Sequence, residues 1–279
     1  MSLAALKDTV DLLTRVPVLW IPGFVCGILA ACLWLVLNIS GAFLAGRLLV
    51  IFPLVCLFFI IGMLSAVHKR GATFKEMLAD GTGYYFRVLL PTLVIVFGIV
   101  LVFIMVILTL TLFGLKPDAG LLTFLVFGVV LPTVILTLFY DTAVIFEGKK
   151  VFESLERSIE VVTANLGDVI LFMSGCLLIF CSISFGMMVL WTSFLADRLE
   201  PISRFNETQL QSFTSDQFIV MIGQDGIWIT ALVIFCYMTL LIPVLYTYKA
   251  CFYRLVSGKI AQVQQQVGEF DSKGRWYKY

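Results

Sequence analysis

Two charged residues stand alone inside long apolar stretches, and they are the side chains best placed to do chemistry. Asp141 is the one charged residue in the apolar stretch 119–146, and Lys249 is the one in the stretch 227–253. Ionisable side chains at membrane depth are costly, so they mark ion pathways, proton relays or internal ion pairs. Asp141 falls roughly 9 Å of helix from one end of its stretch, and Lys249 lies at a similar level. We expect either a structural ion pair between two helices, or two side chains that reach the membrane surface separately.

The other polar residues form no catalytic pattern. The one histidine, His68, precedes Lys69 and Arg70, where it extends a basic flank rather than serving as a general base. The sequence has no nucleophile elbow, no phosphate-binding loop and no Cys-x-x-Cys pair. All cysteines fall in apolar stretches, where they are expected to pack as small hydrophobic residues. We therefore predict a protein that is not an enzyme and that holds no cofactor or metal.

The elements that must position these residues are apolar stretches long enough to cross a bilayer. The chain has 279 residues, of which 61% are hydrophobic and 13% charged, and a mean hydropathy of +1.04. Such values lie far outside the range of soluble domains. The stretches are 17–37, 48–67, 88–115, 119–146, 169–196 and 227–253. Because they are continuously apolar rather than alternating, they predict an all-α polytopic membrane protein with six transmembrane helices.

A recurring pattern divides the stretches into three tandem hairpins. The predicted units are 1–71, 72–148 and 149–256, with an outer loop at 197–226 and an amphipathic tail at 257–279. Each second stretch contains a proline and ends at a basic turn marked by glycine. The prolines are Pro53, Pro132 and Pro243. We expect a duplicated packing feature, with a gating hinge as the alternative.

A short amphipathic segment precedes each predicted hairpin. Apolar residues recur at helical spacing in the first and third segments, and residues 73–76 have the form of a helix capping box. The apolar stripes are Leu3, Leu6, Val10 and Leu13 in the first, and Phe152, Leu155, Ile159, Val162 and Leu166 in the third. Such helices are expected to lie at the membrane surface with the stripe toward acyl chains or toward the helix bundle. Together they predict a cytoplasmic collar.

The basic residues predict the orientation and the lipid contacts. Of 19 Lys and Arg residues, only Arg47, Lys116, Arg198 and Arg204 fall in the outer segments. This bias predicts a multi-pass protein of the cell membrane with both termini in the cytoplasm. The residues expected to contact lipid headgroups are Lys69, Arg70, Lys149, Lys150, Lys259 and Arg275. The formal net charge of +1 gives no reason to expect nucleic acid as a partner.

Two candidate glycosylation sites fall in predicted outer segments. Asn38 and Asn206 each begin an Asn-x-Ser/Thr sequence. Their placement agrees with the orientation predicted from the basic residues. Asn38 lies close to the end of its apolar stretch, which disfavours its modification.

Two short segments carry a resemblance to a known group. The segment 15–23, RVPVLWIPG, and the segment 146–158, FEGKKVFESLERS, resemble a widespread group of uncharacterised archaeal membrane proteins of methanogen type. The chain is also distantly similar to the membrane domain attached to some glycerophosphodiester phosphodiesterases. The resemblance implies a six-helix polytopic protein with no assigned reaction. Because the chain contains no soluble phosphodiesterase domain, the resemblance does not imply that activity.

These observations favour a non-catalytic membrane protein, an accessory or scaffold component that organises a membrane assembly or its lipid. The expected partners are membrane lipid and other membrane subunits, or further copies of the chain. The alternative is a transporter or channel for an apolar or amphipathic solute, with the proline-bearing helices as moving parts. Repeats of one orientation weigh against that alternative, because many transporters use inverted repeats.

Overall fold

A computed structural model describes residues 2–39, 41–114, 119–206, 212–266, 269–270 and 276–277. Helices make up 91% of the structure, which confirms the all-α fold class. The helices are α1 Ser2–Arg15, α2 Ile21–Ile39, α3 Ala42–His68, α4 Phe74–Leu112, α5 Ala119–Leu125, α6 Leu131–Leu136, α7 Tyr140–Glu147, α8 Val151–Ala164, α9 Leu166–Phe194, α10 Ala196–Leu199 and α11 Ser215–Gln266. Among the described residues there are also short 3-10 helices at Pro17–Trp20 and Glu200–Arg204 and a π-helical turn at Val126–Val130. In the tail, β1 Glu269–Phe270 pairs antiparallel with β2 Trp276–Tyr277.

Six helical segments are long and apolar enough to cross a membrane, as the sequence predicted. They are Pro17–Ile39, Phe43–His68, Phe74–Leu112, Thr123–Glu147, Leu166–Phe194 and Ser215–Lys259. Within a bilayer, a helix satisfies its own backbone hydrogen bonds, which is why continuous apolar runs adopt this form. The six spans support a multi-pass membrane protein.

The most extensive packing joins the first span to the last. α2 lies along α11, and it also contacts α3. A Cβ atom at Gly23 would lie 2.6 Å from the carbonyl oxygen of Thr239, and one at Gly27 would lie 2.7 Å from that of Phe235. Two glycines four residues apart therefore let the two backbones approach closely, as small residues do between membrane helices.

The most densely packed region lies at one end of the bundle, where α1 and α8 cover the longer helices. We call it the inner end, after the orientation predicted from the basic residues. Aromatic rings from α9 and α11 form its centre, with Phe172 stacked on Phe252 at 4.5 Å between ring centroids. Phe139 lies at 5.8 Å from both rings. All three residues are buried and form part of the hydrophobic core.

The two surface helices bury small residues together with only part of the predicted apolar stripes, Leu13 in α1 and Val162 in α8. α1 buries Ser2, Ala5, Thr9, Leu12 and Leu13, and α8 buries Ser154, Ser158, Val161 and Val162. Five large members of the predicted stripes remain exposed: Leu3 at 81%, Val10 at 58%, Phe152 at 73%, Ile159 at 40% and Leu166 at 55%. Small side chains let each helix lie close to the bundle, which turns the bulky residues outward. Leu13 and Val162 therefore face the bundle, whereas the five exposed residues do not, and contact of those five with acyl chains stays a prediction.

Two helices run across boundaries that the sequence suggested. α4 continues from the capping box at Thr73 through to Leu112, so the second amphipathic segment is not a separate helix. Gly81 lies inside it, where a Cβ atom would meet Phe58 at 3.1 Å, so the glycine serves close packing rather than a break. α11 likewise extends past residue 256 to Gln266 and begins within the predicted outer loop, but it consists of two helical segments that meet at a kink, where the backbone of Gly223 is not helical.

Candidate functional site

The fourth span is broken near its inner end, a feature that was not predicted from the sequence. α6 ends at Leu136 and α7 begins at Tyr140, so the segment between them is not helical. The hydroxyl of Ser158, on α8, donates to the carbonyl oxygen of Leu136 at 2.8 Å and accepts from the amide of Phe139 at 3.0 Å. One side chain therefore pairs backbone groups on both sides of the break, which removes the cost of leaving them unpaired in an apolar environment.

Asp141 stands in the first turn of α7, directly after this break. Its Oδ1 accepts from the backbone amide of Thr142 at 2.7 Å. A carboxylate at the start of a helix is favoured by the unpaired amides and by the helix dipole. The break therefore provides a polar position for the carboxylate inside an otherwise apolar span.

The structure brings Asp141 and Lys249 together. Lys249 Nζ lies 2.7 Å from Asp141 Oδ2, and the two side chains are 13% and 7% exposed. The ammonium also lies 5.6 Å from the centroid of the Tyr246 ring. Above the pair, the hydroxyls of Tyr140 and Thr92 are 2.7 Å apart, which connects α7 to α4. Within the described chain, the carboxylate is thus neutralised by a cation from α11 and hydrogen-bonded by its own helix.

A second ionic cluster follows at the inner end. Glu147 Oε1 accepts from the hydroxyl of Tyr253 at 2.7 Å, and Glu147 Oε2 lies 3.0 Å from Arg157 Nε. Arg157 also reaches Glu160 Oε2 at 2.7 Å. Burial lowers the pKa of Arg157, but the hydrogen bonds and charges of Glu160 and Glu147 outweigh burial and leave the pKa raised. The cluster joins α7, α8 and α11 and keeps Arg157 charged.

A family model for a domain of unknown function, DUF7847, matches residues 2–256. The chain belongs to the DUF7847 family. No curated protein and no solved structure matches it. The DUF7847 match begins with α1 and ends within α11, so it covers the broken span and both partners of the Asp141–Lys249 pair.

The cations predicted at lipid headgroups of this DUF7847 chain occupy different environments. Lys69 Nζ lies 2.6 Å from Asp80 Oδ2, and Lys259 Nζ lies 3.7 Å from Asp168 Oδ2. Arg70, Lys149 and Lys150 form no ion pair with any residue that the structure describes. Arg275 lies outside the described residues. Headgroup contact remains a prediction for all six, and the three cations without an ion pair are the best suited to it.

The two candidate glycosylation sites also differ. Asn38 is partly buried, and its side-chain amide donates to the carbonyl oxygen of Trp34 at 2.8 Å. Asn206 is exposed. The serine and threonine that complete the two sites lie outside the described residues. Exposure therefore favours Asn206 as the acceptor, and modification of either residue stays a prediction.

Ser158, Tyr253 and the pair Gly23 and Gly27 are structural residues that sequence reasoning missed. The two glycines had a readable signal, because Gly-x-x-x-Gly in an apolar helix is typical of close helix packing. Ser158 and Tyr253 had none, since each acts on a distant segment. Across the described residues, no group of three or more His, Cys, Asp or Glu side chains is arranged to hold a metal ion.

Proposed function

We propose that this chain is a non-catalytic integral membrane protein that serves as an accessory or scaffold component of a membrane assembly. Ion pairs within the chain stabilise its inner end, and the part of α4 beyond Pro91 offers an exposed apolar surface to partners. Its partners on this proposal are membrane lipid and either other membrane subunits or further copies of the chain.

The exposed surface of α4 carries this proposal. Beyond Pro91, which is buried, no residue of α4 is buried. Large apolar side chains are exposed along this length, among them Phe97 at 68%, Ile104 at 59% and Leu112 at 79%. Lipid is sufficient to cover such a surface. A helix from another subunit can also cover it, because membrane helices associate through packing contacts.

Native electrophoresis of gently solubilised membranes tests this role. We expect the full chain to migrate in an assembly larger than the monomer. Replacing Phe97 and Ile104 by alanine is expected to release the monomer. The matched control replaces Leu178 and Phe185 on α9, which are 69% and 70% exposed, and should leave the assembly intact. A parent chain that migrates as a monomer, or a control that dissociates equally, contradicts the proposal.

A second candidate function is a transporter or channel for an apolar or amphipathic solute. The observation that favours it is the irregular fourth span, with a π-helical turn at Val126–Val130 and a break after Leu136. Broken membrane helices and π-helical turns often occur at transport or ligand sites. In vesicles containing the purified chain, this function predicts faster translocation of a fluorescent phospholipid than in empty vesicles. Translocation equal to that of empty vesicles contradicts it for this class of solute.

We further propose that both termini lie on the cytoplasmic side of the cell membrane. The supporting observation is the shortage of basic residues in the outer segments. Reporter fusions after Lys150 and after Asn206 should show opposite locations, and equal locations would contradict the orientation. The threefold repeat, the archaeal origin and the likeness to the phosphodiesterase membrane domain remain interpretations of the sequence.

A further inference from the structure

A cleft of about 390 Å³ lies between α4 and the turn that joins α7 to α8. Phe86, Arg87 and Leu90 form the α4 wall, and residues 148–151 form the other. We call this the α4–α8 cleft. The turn depends on Gly148, whose φ of 67° lies in the left-handed region that glycine adopts without strain. This turn directs the two following lysines toward the same cleft as Arg87.

Three cations line the cleft, and nearby carboxylates are occupied by other groups. Arg87, Lys149 and Lys150 make no ion pair with any residue in the described part of the chain. Glu147, next to the turn, bonds to Arg157 and Tyr253. Glu153, in the first turn of α8, accepts from the Lys150 backbone amide at 3.2 Å and does not line the cleft. The described residues that line the cleft therefore include three cations and no carboxylate.

The α4 wall of the cleft is apolar and open to its surroundings. Phe86 is 68% exposed and Leu90 is 47% exposed. In the sequence, the uncharged stretch of α4 begins directly after Arg87, and the stretch that contains Asp141 ends just before Gly148. The cations therefore stand where two spans leave the hydrocarbon, with apolar side chains beside them. A soluble anion needs only the cations, whereas a phospholipid uses both surfaces.

We propose that the α4–α8 cleft binds an anionic phospholipid. Arg87, Lys149 and Lys150 surround the phosphate of its headgroup, and Phe86 and Leu90 contact its acyl chains. Juxtamembrane clusters of Lys and Arg attract anionic lipids by charge, and arginine adds paired hydrogen bonds to phosphate oxygens. The inference rests on the proposed orientation, which places the cleft at the cytoplasmic leaflet. It names a lipid class that the proposed accessory role leaves open.

Native mass spectrometry of the purified full chain in detergent tests the site. The probes are a short-chain phosphatidylglycerol, which is anionic, and a phosphatidylcholine of the same chain length, which should bind more weakly. The cleft variant carries Arg87→Gln, Lys149→Gln and Lys150→Gln. Each cation is expected to contribute roughly fivefold to the affinity for the lipid. The cleft variant should therefore bind phosphatidylglycerol about a hundredfold more weakly than the parent. The matched control carries Lys7→Gln, Arg15→Gln and Lys75→Gln, the same charge change at exposed inner positions, and should bind within about threefold of the parent.

Two further measurements distinguish a bound phospholipid from a soluble anion held by the same cations. Inorganic phosphate at millimolar concentration should not displace phosphatidylglycerol, and Phe86→Ser with Leu90→Ser should weaken lipid binding. If the triple variant unfolds, Lys149→Gln with Lys150→Gln should still lose roughly twenty-five-fold in affinity.

Three results overturn the proposal: parent-like binding by the cleft variant, equal loss in the control, or displacement by phosphate alone. Because purified chain is used, such a failure leaves the assembly experiment on α4 unaffected.

Discussion

Removing one partner of the Asp141–Lys249 pair should destabilise the chain much more than removing both. The informative variants are Asp141→Asn, Lys249→Met and the double variant. Each single change leaves one polar or charged group without its partner at a largely buried position, since the two side chains are only 7% and 13% exposed. The double variant removes both charges.

The expected loss in stability follows from two opposing contributions, the attraction between the charges and the cost of removing them from water. At 2.7 Å, two unit charges attract by about 6 kcal/mol for an effective dielectric constant of about 20. Desolvating the two ions costs several kcal/mol each, so the net value of the intact pair is small. Breaking a buried pair from one side typically costs about 3–5 kcal/mol. We therefore expect each single variant to lose about 3–5 kcal/mol and the double variant clearly less than the sum.

Thermal unfolding of the detergent-solubilised chain, followed by size-exclusion chromatography, measures this coupling. Each single variant should melt roughly 10 °C below the parent. Asp11→Asn is the control, because Asp11 and Arg15 form an exposed pair at 2.7 Å with side chains 50% and 74% exposed. Exposed pairs contribute about 0.2–1 kcal/mol, so this variant should melt close to the parent. Additive losses in the double variant, or unchanged melting in either single variant, would refute a coupled pair.

Three further variants test the close contacts that hold the bundle together. Gly23→Ala should destabilise by about 1–3 kcal/mol, because its Cβ meets the α11 backbone, while Gly98→Ala, with open space around its Cβ, should not. Equal melting temperatures for the two would contradict close packing of α2 on α11. Ser158→Ala should cost about 1–3 kcal/mol and speed hydrogen exchange at the first amides of α7, unlike Ser174→Ala at an exposed site, and unchanged exchange would refute the bridging role. Tyr253→Phe should cost about 1 kcal/mol through the lost bond to Glu147, measured by the same melting assay, and parent-like melting would show that this bond contributes nothing.

The six spans were predictable because their cause is local. A run of uncharged apolar residues long enough to cross the hydrocarbon has few alternatives to a helix. The helix ends were less predictable. α4 begins at Phe74, well before its apolar stretch, because the capping box at Thr73 starts a helix that polar residues then continue. The break after Leu136 was missed, although Thr137, Tyr140, Asp141 and Thr142 make this part of the span more polar than the rest, because the partner that satisfies its backbone, Ser158, lies on another helix.

The surface helices show what an amphipathic pattern leaves undecided. In α1 and α8, the pattern left open whether the apolar stripes face acyl chains or the helix bundle. The structure covers the small residues Ser2, Ala5 and Ser154, together with Leu13 and Val162 of the stripes. Which face of a helix is buried depends on the shape of its neighbour, and small residues permit the closest approach.

The sequence by itself determined the helical class, the number of spans and the similar depth of Asp141 and Lys249, because each depends on local composition and on position within one helix. Tertiary structure decided that these two side chains meet, although they are 108 residues apart. The pairing depends on how α7 and α11 are rotated and on the break that places Asp141 at a helix start. The tertiary structure also forms the α4–α8 cleft. Arg87 and the two lysines come from different segments of the chain, and no local sequence pattern predicts that these segments lie next to each other.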